Sequence, residues 1–444
     1  MEIKTTPAHT YNPKVEQLRE KWVSLNIDQR RKKFKSLPRS DAEELFLNFD
    51  PKEQAELILN LPNLERRSWL RLLAPDDAAD LIQEFPQVAR EELLDLLDED
   101  TKQDVLALLV YAEDEAGGLM NPRFVRLKPD ISVDVAVRYL RTQARKHVET
   151  IHYAYVIGAE ESLLGTVSFR DLLLAPPEKP VSEVMTKNLV TVPEDMDQEE
   201  VSRKFSLYGL TAIPVVDAQN HMKGIVTVDD VVDVVEQEAT EDMQKISGMQ
   251  ALHAPYFQVG FFHMIKKRAG WLTILFLGET FTATAMGYYE KEIERAVVLA
   301  LFIPLIISSG GNSGAQASTL IIRSLALGEV TLKDWSKVLL RELSSGVVLG
   351  SILGGIGLLR ILLLPSSPAL YGKHYDLIGL TVACSLVGIV LWGTLSGSML
   401  PFLLHKLKLD PATASAPFVA TLVDVTGIII YFSVASLILG GVLL

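Results

Sequence analysis

The sequence predicts a multidomain fold, α plus α/β. It comprises an N-terminal helical superhelical domain, a tandem α/β pair, a connecting helix and a five-helix transmembrane domain, paired as a homodimer. Three observations predict it. The formal net charge of −13 lies wholly in the first 270 residues, because the remainder holds ten basic and ten acidic residues. In the middle, a strand–helix–strand–strand–helix pattern occurs twice at a spacing of about 60 residues. The C-terminal part is a series of apolar runs, each long enough to cross a bilayer. The expected boundaries are 1–118, 119–242, 243–268 and 269–444.

Over 13–111, short amphipathic helices alternate with Pro and Asp turns, as in SDAEELFLNF, PKEQAELILNL and PDDAADLIQEF. Ser40 or Asp50 can cap a helix start, and Pro51 suits the first helical position. The recurring acidic and apolar phrase suggests stacked helix pairs, a small solenoid. The run Glu91, Glu92, Asp95, Asp98, Glu99, Asp100 reads as a solvated face or as oxygen ligands for a hard cation. An acidic surface repels nucleic acid and attracts cations, so no nucleic-acid partner is expected. The N-terminal stretch lacks the apolar core of a signal peptide, which predicts a cytosolic N-terminal part. The lone Cys384 sits in an apolar run and excludes a disulfide framework or a thiol metal site.

The tandem region runs over 119–173 and 184–235. Each half opens on a Met motif, LMNP or VMTK, and closes on a strand entering a helix, LGTVSFRD or KGIVTVDD. Both halves carry Gly-x-x-Ser/Thr-x-x-Asp: Gly165, Ser168, Asp171 and Gly224, Thr227, Asp230. A hydroxyl followed three residues on by an acid is a capping box at a helix start. The second half continues into an acidic helix with Asp230, Asp233, Glu238, Glu241 and Asp242. Like charges three or four apart repel on a helix, so a compensating divalent cation is one reading and solvation the other. The stretch YFQVGFFHMIKKR is amphipathic with a basic end. It suits a helix at the membrane interface, leading on from the break at Pro255 into the first span.

Five spans are expected near 271–287, 296–322, 343–364, 377–404 and 413–443. Lys266–Arg268, Arg323 to Arg341 and His405 to Lys408 place the N-terminus in the cytosol and the C-terminus outside. The second span carries Pro304 and SSGGNSG, a poor helix, and predicts irregular backbone with Asn312, Gly311 and freed carbonyls lining a wet pathway. Close helix packing is the alternative. The last span holds a single carboxylate, Asp424, with Thr421 one turn before it. A charge at that depth costs roughly 2.5–3.5 kcal/mol and faces a bundle interior or a polar route. Mg2+ keeps its waters and is held by one or two carboxylates, which suits one Asp doubled by symmetry. Zinc or copper would want His or Cys.

The repeat resembles the CBS domain pair, and that resemblance implies an adenine nucleotide site, ATP included, at Ser168, Arg170 and Asp171. Over nearly the whole chain, YAEDEAGGLMNP, VTVDDVVDVVEQEATED, SGGNSGAQASTLIIRSLALGE and PFVATLVDVTGIIIYF resemble the MgtE family of magnesium channels. The resemblance implies a homodimer in the plasma membrane that imports Mg2+ and is closed by cytosolic Mg2+ bound between acidic domains. Asp424 is similar to the residue that holds hydrated Mg2+ in the pore, and Asp230 and Asp233 match regulatory carboxylates. Gly209 and Ala416 depart from the relatives' residues. Rival readings are a broader Co2+/Mn2+ transporter, a CBS-bearing anion channel and an intramembrane enzyme. His-Glu-x-x-His is absent, so no zinc protease, and no enzyme at all, is expected.

Overall fold

Proline and acidic caps set the helix starts in the N-terminal third. The helices are α1 (Pro13–Trp22), α2 (Ile27–Ser36), α3 (Arg39–Leu47), α4 (Pro51–Leu59), α5 (Asn63–Leu70), α6 (Pro75–Gln83), α7 (Gln87–Leu94) and α8 (Glu99–Leu108). Asp50 Oδ1 accepts from Glu53 N at 2.7 Å, and Pro51 opens α4 as expected. Ser40 is not a cap. Its helix begins one residue earlier, behind Pro38, and no side chain caps it. Trp22, Leu45, Phe46, Ile58, Leu70, Leu81 and Ile82 are fully buried between the helices, each worth about 1.5–3 kcal/mol for an aliphatic chain.

The computed structural model describes residues 13–443 except 23–24, 144–149, 151, 253–255 and 257–258. Pro255 and the first twelve residues therefore lie outside the described residues. The chain divides into two units, Met1–Glu238 and Ala239–Leu444.

The tandem repeat is present as expected. After α9 (Ala116–Leu119), the first half contains β1 (Val125–Leu127), α10 (Val133–Gln143), β2 (Tyr153–Ile157), β3 (Leu163–Ser168) and α11 (Phe169–Leu174). The second contains α12 (Val181–Val184), β4 (Val192–Pro193), α13 (Gln198–Tyr208), β5 (Ala212–Val216), β6 (Met222–Thr227) and α14 (Val228–Ile246). Each half is a three-stranded sheet, parallel then antiparallel, in the orders β1-β2-β3 and β4-β5-β6. The Met motifs are exchanged between halves. Asn121 and Ile225 bond reciprocally at 2.8 and 2.9 Å, and Thr166 and Thr186 at 3.0 and 2.8 Å. This explains the two motif glycines: a Cβ at Gly165 would lie 2.8 Å from Met185 Sδ, and one at Gly224 2.8 Å from Asn121 O. Gly209 adopts φ +60° as the left-handed end of α13, a conformation that an aspartate tolerates only at some cost.

In the second unit the helices are α15 (Phe261–Tyr288), α16 (Glu290–Arg295), α17 (Ile303–Ala326), α18 (Trp335–Leu363), α19 (Ser367–Tyr371), α20 (Tyr375–Lys406) and α21 (Ala416–Leu439). Among the described residues, four stretches are long and apolar enough to cross a bilayer: Val297–Ala326, Leu332–Leu363, Tyr375–Lys406 and Ala416–Leu439. The fifth expected span, 271–287, falls within α15, whose polar residues include Glu279. It is not among the four. The connecting helix expected over 243–268 is divided instead. Its beginning is the end of α14 at Ile246, and its end is the start of α15 at Phe261, with Gly248 at φ +77° breaking the helix between them.

The expected backbone defect in the second span is also corrected. Residues 303–326 form one continuous helix with Pro304 in its first turn, where its missing N–H costs nothing. The small residues are used for close approach. A side chain at Gly393 would strike the Gly310 carbonyl of α17, and one at Gly397 the Gly314 carbonyl. Packing of this kind drives association where lipid removes the hydrophobic term. Gly393→Val is therefore expected to destabilise the membrane unit by about 1–3 kcal/mol or more, visible as a lower melting temperature in detergent.

Candidate functional sites: an acidic junction and a membrane carboxylate

In the first unit, the loop after α9 fixes the N-terminal helices to the repeat. Buried Asn121 Nδ2 donates to Asp76 Oδ1 at 3.1 Å, and Arg123 Nε donates to Asp104 Oδ2 at 2.8 Å. These bonds position α6 so that its Asp77 and Asp80 share an electrostatic neighbourhood with Asp229, Asp230 and Asp233 of α14. Desolvation pushes Asp80 up to about 7, and the charges of Asp77, Glu113 and Asp230 add to it. Asp230 is likewise raised to about 7, by desolvation first and by Asp229 and Asp77 beyond it, although Thr227 Oγ1 donates to it at 2.8 Å. Asp77 is raised by desolvation first and then by Asp229 and Asp233, and Asp233 by desolvation first and then by Glu236 and Asp229.

The sequence-predicted set is therefore divided. Asp230 and Asp233 join acids of α6, whereas Glu238 accepts from Gln198 Nε2 at 2.6 Å. Glu241 pairs with Lys245, and Asp242 is half-buried beside it on α14. Asp77 and Asp80 were not singled out from the sequence; the signal was the PDD start of α6, some 150 residues before its partners. Among the described residues, no three His, Cys, Asp or Glu side chains form a group that could hold a metal directly.

The sign of the pH dependence follows. Asp80 and Asp230 titrate near 3.8 unfolded and near 7 folded, so the native state binds more protons across that window. Stability conferred by this junction is full below about pH 4 and falls as pH rises through about 7. Without divalent ions the N-terminal unit is expected to melt at higher temperature at pH 5.5 than at pH 8. Mg2+ is expected to raise the pH 8 value more, and Asp80→Asn to flatten the profile.

Ser168 and Asp171 form the capping arrangement: Ser168 Oγ donates to Asp171 Oδ2 at 2.6 Å, and Asp171 N donates to Ser168 Oγ at 3.0 Å. Arg170 and Asp171 are exposed at the start of α11.

In the second unit, α17 and α21 cross at their small residues. A Cβ on Gly311 would lie 3.4 Å from Ala420 Cβ, and one on Gly314 2.7 Å from Val419 Cγ1. This brings the 310–314 segment to the level of 419–423, one turn or less from Asp424. Asn312 is exposed on α17, its Nδ2 3.4 Å from Ser308 Oγ, and Asp424 is half-buried on α21. Thr421 is turned aside: its hydroxyl donates to Pro417 O at 3.0 Å, and its methyl meets α15 at Gly278. The next residue, Glu279, is the carboxylate the sequence reading passed over. It lies on α15 next to Gly278, the point where α15 meets Thr421 of α21. Ser415 caps α21, accepting from Phe418 N at 3.3 Å, so Ala416 takes the first helical position without strain.

Helices of bilayer length, joined in sequence to a paired α/β module, define a multi-pass membrane protein. Residues 14–114 match the MgtE intracellular N domain, 116–178 and 181–237 the CBS domain, and 303–434 the MgtE divalent cation transporter domain. The chain is 42% identical over 342 residues to the magnesium transporter MgtE of Thermus thermophilus, covering 77% of this chain and 74% of that one. It is 34% identical over 334 residues to the magnesium transporter MgtE of Bacillus subtilis, covering 75% and 71%. A crystal structure of the cytosolic domain of the Mg2+ channel MgtE in complex with ATP is 40% identical, covers 50% of this chain and 90% of that one, and superposes with a TM-score of 0.47. The chain belongs to the MgtE family of magnesium transporters.

Proposed function

We propose that this protein is a homodimeric Mg2+ channel of the plasma membrane, with its N-terminus in the cytosol and α15 as a fifth span. It admits Mg2+ past Asp424 and closes when cytosolic Mg2+ fills the acidic junction. The observation that carries the gating half is the gathering of Asp77, Asp80, Asp230 and Asp233, where burial first and neighbouring carboxylates second raise the pKa values, a cost that a divalent cation relieves. Glu238, Glu241 and Asp242, further along α14, complete the set of regulatory carboxylates in this reading. The observation that carries the pore half is a carboxylate at membrane depth beside the Gly311–Ala420 crossing, with Asn312 exposed nearby. A two-fold copy of Asp424 supplies the second carboxylate that one hydrated Mg2+ accepts.

The four domain boundaries, 1–118, 119–242, 243–268 and 269–444, are part of this reading, with the third acting as the link. Adenine nucleotide binding at Ser168, Arg170 and Asp171 is proposed on the strength of the two CBS matches and the exposed carboxylate. Co2+ and Mn2+ are the nearest alternative cargo. Flux assays in which internal Mg2+ is varied and external Mn2+, Co2+ or Ca2+ compete test both halves. Inhibition by Mg2+ alone at micromolar to millimolar levels supports the reading, and equal flux of all four ions would oppose it.

A further inference from the structure

The last turn of α14 is fastened inside the membrane unit by one ammonium group. Lys245 Nζ lies 2.5 Å from Asp410 Oδ2 and pairs also with Glu241 one helical turn back. Burial alone would lower the Lys245 pKa, yet the two carboxylates outweigh it and hold the ammonium above its ordinary value. Asp410 has a second task. Its Oδ1 accepts from Ala412 N at 2.8 Å, which caps the short turn Pro411–Thr413 leading into α21.

The surrounding contacts converge on that turn. Ile246 packs against a buried cluster of Ile322 from α17 with Ala412 and Ala414. Ser318 Oγ of α17 donates to Ala414 O at 2.6 Å in the same buried place. Gly248 then turns at φ +77° against Trp271 and Pro417, and Trp271 Nε1 donates to Ser415 Oγ, the cap of α21, at 3.2 Å. The end of α14 thus touches the same short segment that starts the helix carrying Asp424, and the helix carrying Asn312 is bonded to that segment too.

We infer that Lys245 is a positioning residue for gating: clamped between Glu241 and Asp410, it fixes the end of α14 to the 410–415 turn, so that movement of α14 is delivered to α21. This rests on the gating reading above. An apolar contact alone would let α14 slide, whereas an ion pair joined to a helix cap is directional. The partly buried position protects it from the screening that empties surface pairs of value.

Two variants isolate the charge. Lys245→Met keeps the aliphatic stem, and Asp410→Asn keeps an oxygen for the Ala412 cap. In proteoliposomes, Mg2+ flux is measured against internal Mg2+ for the wild type, each variant and the double variant. Each single variant is expected to raise the half-closing Mg2+ concentration about fivefold with flux at low internal Mg2+ unchanged. The double variant is expected to shift no further, because both changes break one pair. An unshifted half-closing concentration, or additive shifts, overturns the clamp. A wild type that never closes overturns the gating reading itself, an outcome distinct from the other two.

Discussion

Asp424→Ala is expected to reduce Mg2+ flux by about a hundredfold or more while leaving a folded protein. The carboxylate is half-buried on α21, one turn from the point where α17 packs against it. An ionised group at membrane depth costs roughly 2.5–3.5 kcal/mol, so a side chain kept only for stability would be better replaced. The melting temperature of Asp424→Ala in detergent should therefore be equal to or above that of the wild type. A fall of several degrees with flux retained would instead mark Asp424 as a structural hydrogen-bonding group. Asp424→Glu keeps the charge and is expected to retain part of the flux, because a hydrated ion tolerates a longer arm better than a missing one. Glu279, on the neighbouring helix, makes a second useful site: its neutralisation should alter ion affinity without abolishing passage.

Removal of residues 1–242 is the second large effect. It deletes α6 and most of α14, and with them the whole acidic junction, but spares Lys245 and the membrane helices. The truncated protein is expected to conduct at low internal Mg2+ and to go on conducting at concentrations that close the full chain. In the proposed mechanism closure requires work done by bound cations on the end of α14, and without the carboxylates no differential binding energy remains to shift the gate. A truncated protein that stays shut at low internal Mg2+ would place the gate elsewhere.

Periodicity made the repeat legible. Alternating strands and two Gly-x-x-Ser/Thr-x-x-Asp phrases located both sheets and both helix starts, because such signals are local. The same locality hid what lay between distant segments. Asp77 and Asp80 meet α14 from about 150 residues away, and Lys245 meets Asp410 across 165, so no window of sequence contains either contact. The SSGGNSG run misled for a different reason. Glycine and serine are weak helix formers in water, but in α17 the absent side chains let carbonyls of 310 and 314 pack under Gly393 and Gly397. Tertiary contact overrode propensity there, and the predicted break became a packing surface. Glu279 carries no local signal, because its value depends on which helix lies beside it. Gly248, at φ +77°, cannot continue a right-handed helix, so α14 ends before it.

The central claim is that one ion is both cargo and signal: carboxylates of α6 and α14 sense Mg2+, and Asp424 passes it. The most direct measurement is initial Mg2+ flux into proteoliposomes of the full-length protein as internal free Mg2+ is raised, alongside Asp80→Asn/Asp230→Asn. The account predicts that wild-type flux closes cooperatively and that the double variant closes only at a Mg2+ concentration about tenfold higher or more. Identical closing curves for the two proteins would contradict it.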